Sequence, residues 1–130
     1  MTLLLTNPAD FPDVFKARFD ARRLDALVAG YAADAALDLG GGNVFRGRES
    51  IRLALANLLA RGLPIEVTPR HALVTGGHAV VFFDWSIKGA APDGTAVEMG
   101  GSAVDVLRKE TGGEWRQILD LPFGHVTPSA

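Results

Sequence analysis

Residues 102–120, SAVDVLRKETGGEWRQILD, read as two β-strands folded back on Thr111-Gly112-Gly113, which supplies the turn. The second strand continues through EWRQILDLPFG, residues 114–124. Its alternation places Trp115, Leu119 and Leu121 on one face and Arg116, Ile118 and Asp120 on the other. Asp120 is then a carboxylate at the inner end of an apolar run. An unpaired buried carboxylate is costly, so such a residue is paired, protonated, solvated from a cavity, or functional.

Working outward, the period of two holds from residue 65 onward. Residues 65–75, 78–88, 96–109 and 114–121 read as strands, separated by Gly76-Gly77, Ala91-Pro92-Asp93-Gly94 and Thr111-Gly112-Gly113. A short strand at 36–39 is expected to join them. The first part of the chain has helical spacing instead. Asn7-Pro8-Ala9-Asp10 supplies turn and capping chemistry, and Phe11, Val14, Phe15 and Phe19 form one stripe. Leu24, Leu27, Val28 and Tyr31 form a second. A third helix starts near Arg48, carries Ile51, Leu55, Leu58 and Leu59, and stops at Gly62 and Pro64. Helices followed by successive hairpins predict an α+β fold, three N-terminal helices packed on a curved antiparallel sheet, in one domain over 1–130.

The strands are apolar on both faces. In 79–87, Val81, Phe83, Trp85 and Ile87 face one way and Val80, Phe82, Asp84 and Ser86 the other. A sheet wetted on one side is polar there, so the second face is expected to be covered by a partner subunit.

Composition bounds the function. The chain has 130 residues, 48% hydrophobic and 22% charged, which is globular composition with room for a real core. A net charge of −2 exerts no general pull on nucleic acid or anionic lipid, and neither is expected as a partner. Arg18, Arg22 and Arg23, and Arg46, Arg48 and Arg52, read as solvated helix surface. With no cysteine, disulfides, thiolate catalysis and cysteine-ligated zinc are excluded. MTLLLT is too short for a signal-peptide core and no long apolar run exists, so no membrane association and a cytoplasmic location are expected.

Other motifs point away from chemistry. Gly40-Gly41-Gly42 lacks the spacing of a phosphate loop and reads as a turn. Ser102 in GGSAV has misplaced glycines for a nucleophile elbow. His71, His78 and His125 share no metal spacing, so neither a metal nor another cofactor is expected. The aspartates are different: Asp84, Asp105 and Asp120 each sit in a separate strand among apolar neighbours. Each is open to a structural or a functional reading.

The order of elements, with LDALVAGYAADAAL, then FRGRESI, then SAVDVLRKETGGEWRQILD, resembles the NTF2-like superfamily. That group includes ketosteroid isomerase and the SnoaL-like polyketide cyclases. The resemblance implies a cone, a strongly curved sheet wrapped by helices around an apolar pocket, dimerising through the outer face of the sheet. Trp85 and Trp115 are expected at or near that outer face.

Matched residue by residue, it places Asp105 on the isomerase's protonated aspartate, a carboxyl kept neutral by an apolar site so that it can donate a hydrogen bond. Asp120, Ile118 and Pro122 fall on pocket-lining positions, as do Val80, Phe82, Asp84 and Ser86, and Tyr31 matches a pocket tyrosine. Two catalytic groups are missing. The oxyanion tyrosine is Phe15 and the general base is Leu39, with Asp38 one residue away and facing outward, so steroid isomerisation is not expected.

Two readings follow. In the first, the protein is a SnoaL-like enzyme of isomerase, cyclase or hydrolase type acting on a small, mostly apolar ligand. Asp120 is then its base, with Asp105 and Tyr31 as donors. In the second, it is a non-catalytic ligand-binding or dimerisation module. An inward Arg108 or Arg116 partner for the aspartates would favour a structural network; its absence would favour chemistry.

Overall fold

The protein is described from a computed structural model covering residues 4–124; His125 lies outside the described residues. A 3-10 turn at Pro8–Asp10 leads into α1, Phe11–Asp20, followed by α2, Leu24–Ala29. The chain then enters β1, Tyr31–Asp38, and β2, Val44–Arg46, before α3, Arg48–Leu59. Four strands complete it: β3, Glu66–Thr75; β4, His78–Ala90; β5, Ala96–Lys109; and β6, Trp115–Leu121.

The helices begin and end where local chemistry dictates. The Asn7 side chain accepts from the Ala9 amide at 3.1 Å, and Pro12 occupies the first turn of α1, where its missing N–H costs nothing. α1 buries Phe11, Val14 and Phe19; α3 buries Ile51 and Leu55. Gly30 caps α2, its amide reaching the Ala26 and Leu27 carbonyls, so Tyr31 starts β1 instead of closing the second helix. β1 is therefore longer than the 36–39 strand expected, and β2 is an addition to it. Alanines in YAADAALD disguise a strand, because alanine favours helix and carries little β signal.

The sheet order is β2-β1-β6-β5-β4-β3. It is mixed, where a wholly antiparallel sheet was expected: β1 runs parallel to β6 and every other pairing is antiparallel. A parallel pair needs a long crossover, and here residues 39–114 intervene between the two strands. Gly100 and Gly101 permit close approach at mid-β5. A Cβ at Gly100 would stand 2.6 Å from the Trp85 carbonyl oxygen, and one at Gly101 would stand 2.9 Å from that of Pro122.

Helices and sheet meet through one face. Phe11, Phe19, Leu27, Ile51 and Leu55 pack with Val81, Phe83, Trp85, Ile87, Ala103 and Leu107. This reverses the expected parity of β4. Val81, Phe83, Trp85 and Ile87 point to the helices, and Val80, Phe82, Asp84 and Ser86 to the outside. Trp85 and Trp115 are both buried, so neither marks the outer face. A template alignment one residue out inverts a whole strand, and the all-apolar half of the alternation is the half that belongs in the core.

A second irregularity decides the site. Leu107 pairs with Gln117 but Val106 with Leu119, leaving Ile118 as an extra residue, a β-bulge in β6. Before the bulge Trp115 and Gln117 face the core; after it Asp120 does, with Leu119 exposed. The simple alternation had grouped Trp115 with Leu119 and Leu121; the bulge separates them.

Candidate functional site

Between α3, α1 and the inner face of the sheet lies a cavity of about 260 Å³, at the small end for a ligand site. Its wall is mostly apolar: Phe11 and Phe15 from α1; Ala54, Leu55 and Leu58 from α3; Phe83 and Trp85 from β4. Leu37, Leu39 and Phe45 close one side, and Pro122 and Phe123 the end of β6. The Trp85 indole N–H donates to the Pro122 carbonyl at 2.7 Å, which fixes the ring that forms part of this wall.

Asp105 and Asp120 enter this apolar space side by side. They are direct cross-strand partners, and on its other edge Asp120 pairs with Leu37 of β1. Both are buried, as is Gln117. The Gln117 side-chain amide donates to Asp105 Oδ2 at 2.8 Å and, more weakly, to Asp120 Oδ2 at 3.3 Å. Tyr31 donates its hydroxyl hydrogen to Asp120 Oδ2 at 2.5 Å. Asp105 Oδ1 is buried with no hydrogen-bond partner.

Two carboxyls at this range cannot both ionise cheaply out of water. Burial, then the neighbouring Asp120 charge, holds the Asp105 pKa well above the usual carboxylate value, against the opposing hydrogen bond from Gln117. Burial raises Asp120 too, but hydrogen bonds from Tyr31, Asp105 and Gln117 pull it back. The environments separate the pair: Asp120 ionises first and Asp105 retains the proton. Burial, followed by the Asp120 charge, keeps the Tyr31 hydroxyl protonated far above its ordinary range.

Among the described residues no arginine braces the pair. Arg108 reaches Asp34 at 3.1 Å and Arg116 reaches Glu114 at 3.1 Å, both away from the cavity. Asp84, expected as a third inward carboxylate, is on the outer face. It is held there by Arg70 at 2.5 Å and the Ser102 hydroxyl at 2.9 Å, and the Arg70 hydrogen bond depresses its pKa.

Of the residues read as pocket-lining, Phe15, Leu39 and Pro122 line the cavity. Val80, Phe82, Asp84 and Ser86 do not, for the parity reason given above; Phe82 stacks instead on His71, with ring centroids 6.0 Å apart. Ile118 is the bulge residue and does not line it either. Tyr31 lines it, but its only hydroxyl hydrogen goes to Asp120, so it orients that carboxylate and is not a free donor to a ligand. Asp38 faces away, accepting from the Gly40 amide at 2.8 Å. Gln117 was not anticipated. It shares the parity of buried Trp115, which is the signal that marks it. Among the described residues no group of three His, Cys, Asp or Glu is placed to hold a metal ion.

The family follows from comparison with known proteins. Residues 13–118 match the SnoaL-like domain model. The chain belongs to the SnoaL-like domain family of the NTF2-like superfamily. No curated protein matches it. Solved structures similar to this SnoaL-like domain include a ketosteroid isomerase-like protein from Erwinia carotovora atroseptica SCRI1043. The two are 15% identical, with 90% of this chain and 91% of that one covered and a TM-score of 0.74. A second is a protein from Thiobacillus denitrificans ATCC 25259, provisionally assigned as a calcium/calmodulin-dependent protein kinase type II association domain. It is 23% identical, with 93% and 98% covered and a TM-score of 0.71. A third is an NTF2-like protein with a cystatin-like fold from Novosphingobium aromaticivorans, 17% identical, with 88% and 77% covered and a TM-score of 0.72. At these identities the likeness is one of fold.

The raised pKa of Asp105 has a consequence for stability. Between the unfolded value near 3.8 and the folded value, the native state holds a proton that the unfolded chain has lost. This contribution is therefore fully present below pH 3.8 and is lost as pH rises through the folded pKa. The slope from one such group reaches about 1.4 kcal/mol per pH unit. Asp105→Asn mimics the neutral acid, so its urea-unfolding stability should fall less with rising pH than the wild type's and match or exceed it at neutrality. Parallel pH profiles would contradict the assignment.

Proposed function

We propose that this SnoaL-like domain binds a small, mostly apolar carbonyl or hydroxylated compound in the cavity and performs acid–base chemistry on it. The observation that carries the reading is the buried, arginine-free carboxyl pair opening on an apolar space. A structural brace would have a cation; among the described residues the side chains that donate to this pair are Gln117 and Tyr31. Asp120, the more easily ionised, is the base, and Tyr31 and Gln117 orient it. Asp105 is the acid; its single proton is held towards Asp120 until a ligand oxygen displaces that contact.

For a ketone, the carbon–hydrogen bond beside the carbonyl breaks and its proton passes to Asp120. The electron pair moves into a carbon–carbon double bond, and charge builds on the carbonyl oxygen. Asp105 meets that oxygen with its hydrogen bond in a site from which water is largely excluded. In a β,γ-unsaturated ketone, return of the proton from Asp120 to the γ-carbon moves the double bond into conjugation and completes an isomerisation; in any ketone, return to the same carbon gives exchange. The Δ5-3-ketosteroid reaction is not assigned to this site, because Phe15 supplies no hydroxyl and Leu39 no carboxylate.

The outer face of the sheet supports a second element of the reading, a homodimer. Phe82 and Leu119 are 37% and 43% exposed, and Val80, Val104, Val106 and Leu121 lie half-buried on the same face. Soluble monomers rarely expose such a contiguous apolar patch.

Two experiments test these statements. In deuterium oxide, a panel of small aromatic ketones should exchange the hydrogens beside the carbonyl, followed by proton NMR. Asp120→Asn should lower the rate by at least about a hundredfold, the scale of general-base assistance. No exchange above the buffer rate for any ketone would leave the non-catalytic binding module as the better account. For assembly, light scattering at micromolar concentration should read a dimer, and a Phe82→Lys, Leu119→Lys variant should read a monomer. A monomeric wild type would refute the dimer.

A further inference from the structure

The cavity has a second polar end that the acid–base reading does not use. Asn57 and Arg61 lie one helical turn apart on the C-terminal end and exit of α3, and both line the cavity. The side chain of Arg61 is half-buried and its Nε is enclosed with no hydrogen-bond partner. Among the described residues Arg61 takes part in no ion pair. A shallow groove on its outer side carries Asp93 and Glu98, neither within ion-pair distance. Nε itself is closed off, so it is the remainder of the Arg61 guanidinium, at the cavity wall and without a carboxylate opposite it, that is left for something the cavity receives.

The two polar ends are well separated. Met99 of β5 lines both the cavity and the groove beside Arg61, and Asp105 follows Met99 by six residue steps of strand, about 20 Å along the backbone before curvature and side-chain reach shorten it. Between them the wall is apolar, with Trp85 and Ala103 among its members. The ends also differ in sign: a carboxylate pair sharing one proton at one, a guanidinium and an amide at the other.

We infer that the ligand is an elongated organic acid, its carboxylate held by Arg61 and Asn57 and its reacting carbonyl or hydroxyl group presented to Asp105 and Asp120. The inference rests on the acid–base reading for the identity of the reacting end. A planar carboxylate suits a guanidinium, which can meet it with two parallel hydrogen bonds. The same anion is repelled by Asp120, so charge alone allows one orientation of the molecule. Arg61 is thereby a specificity-determining residue, and its role is to set which end of the ligand reaches the acids.

Two matched pairs of probes test this by their effect on Trp85 fluorescence: para-hydroxyphenylpropanoate against para-ethylphenol, and a hydroxynaphthoate substituted at opposite ends of its ring system against naphthol. Within each pair the phenolic end is kept and only the carboxylate is removed. The wild type should bind the carboxylate member about tenfold more tightly, the worth of one charge-assisted hydrogen-bonded contact. Arg61→Gln should abolish that preference and leave the neutral member's affinity unchanged, while Arg61→Lys should keep part of it. Asp120→Asn should retain the preference, because the carboxylate lies at the other end. Equal binding within both pairs, or a preference that survives Arg61→Gln, overturns the inference and leaves the acid–base reading standing. Failure of all four probes to bind at millimolar concentration overturns both.

Discussion

The structure turns on two carboxyl groups placed opposite each other in adjacent strands and taken out of water. Asp105 and Asp120 are a cross-strand pair at the inner face of the sheet, and like charges in that relation are unfavourable even where solvent can reach them. Burial removes the remaining option of ionising both. One proton must stay, and the surroundings decide where. Tyr31 and Gln117 supply donors to Asp120, whereas Asp105 has Gln117 alone and an oxygen without a partner. The apolar wall then keeps the difference sharp, because no bulk water levels it.

That arrangement depends on a single extra residue. Without the bulge at Ile118, Gln117 and Asp120 would point to opposite faces, and Asp120 would share the solvent side with Arg116. With it, two residues three apart in sequence are both buried on the core face, and Gln117 can touch both acids. The parallel pairing of β1 with β6 completes the site. Gly30 ends α2, its carbonyl accepts the Gln117 amide at 2.9 Å, and the next residue is Tyr31. A glycine cap, a bulge and one parallel ladder bring three polar groups from distant parts of the chain to one point.

Much of this was legible in the sequence, and what was not has identifiable causes. The hairpins from residue 65 onward and the apolar stripes of α1 and α3 were plain, because period and turn residues agree there. Asp105 and Asp120 stood out as carboxylates in apolar strands, and Tyr31 through a family resemblance. The β4 parity was inverted by matching positions to a template, although the fully apolar set Val81, Phe83, Trp85 and Ile87 named its own face. Asp84 followed that error and is an exposed partner of Arg70 and Ser102. β1 was hidden by alanine, β2 by its three-residue length, and Gln117 by a bulge that no local pattern announces. Arg61 carried no sequence signal at all, since only the cavity distinguishes it from the other surface arginines.

The central claim is that the ligand-free protein keeps one aspartic acid protonated at neutrality, and that this residue is Asp105. Carbon-13 NMR of protein labelled at the aspartate side-chain carboxyls tests it most directly, by following each resonance through a pH titration. The account predicts one carboxyl still protonated at neutral pH, absent from the spectrum of Asp105→Asn, and a second that titrates above the ordinary aspartate range and moves in that variant. If every aspartate carboxyl in the wild type has ionised well below neutrality, the acid–base pair is not what the cavity contains.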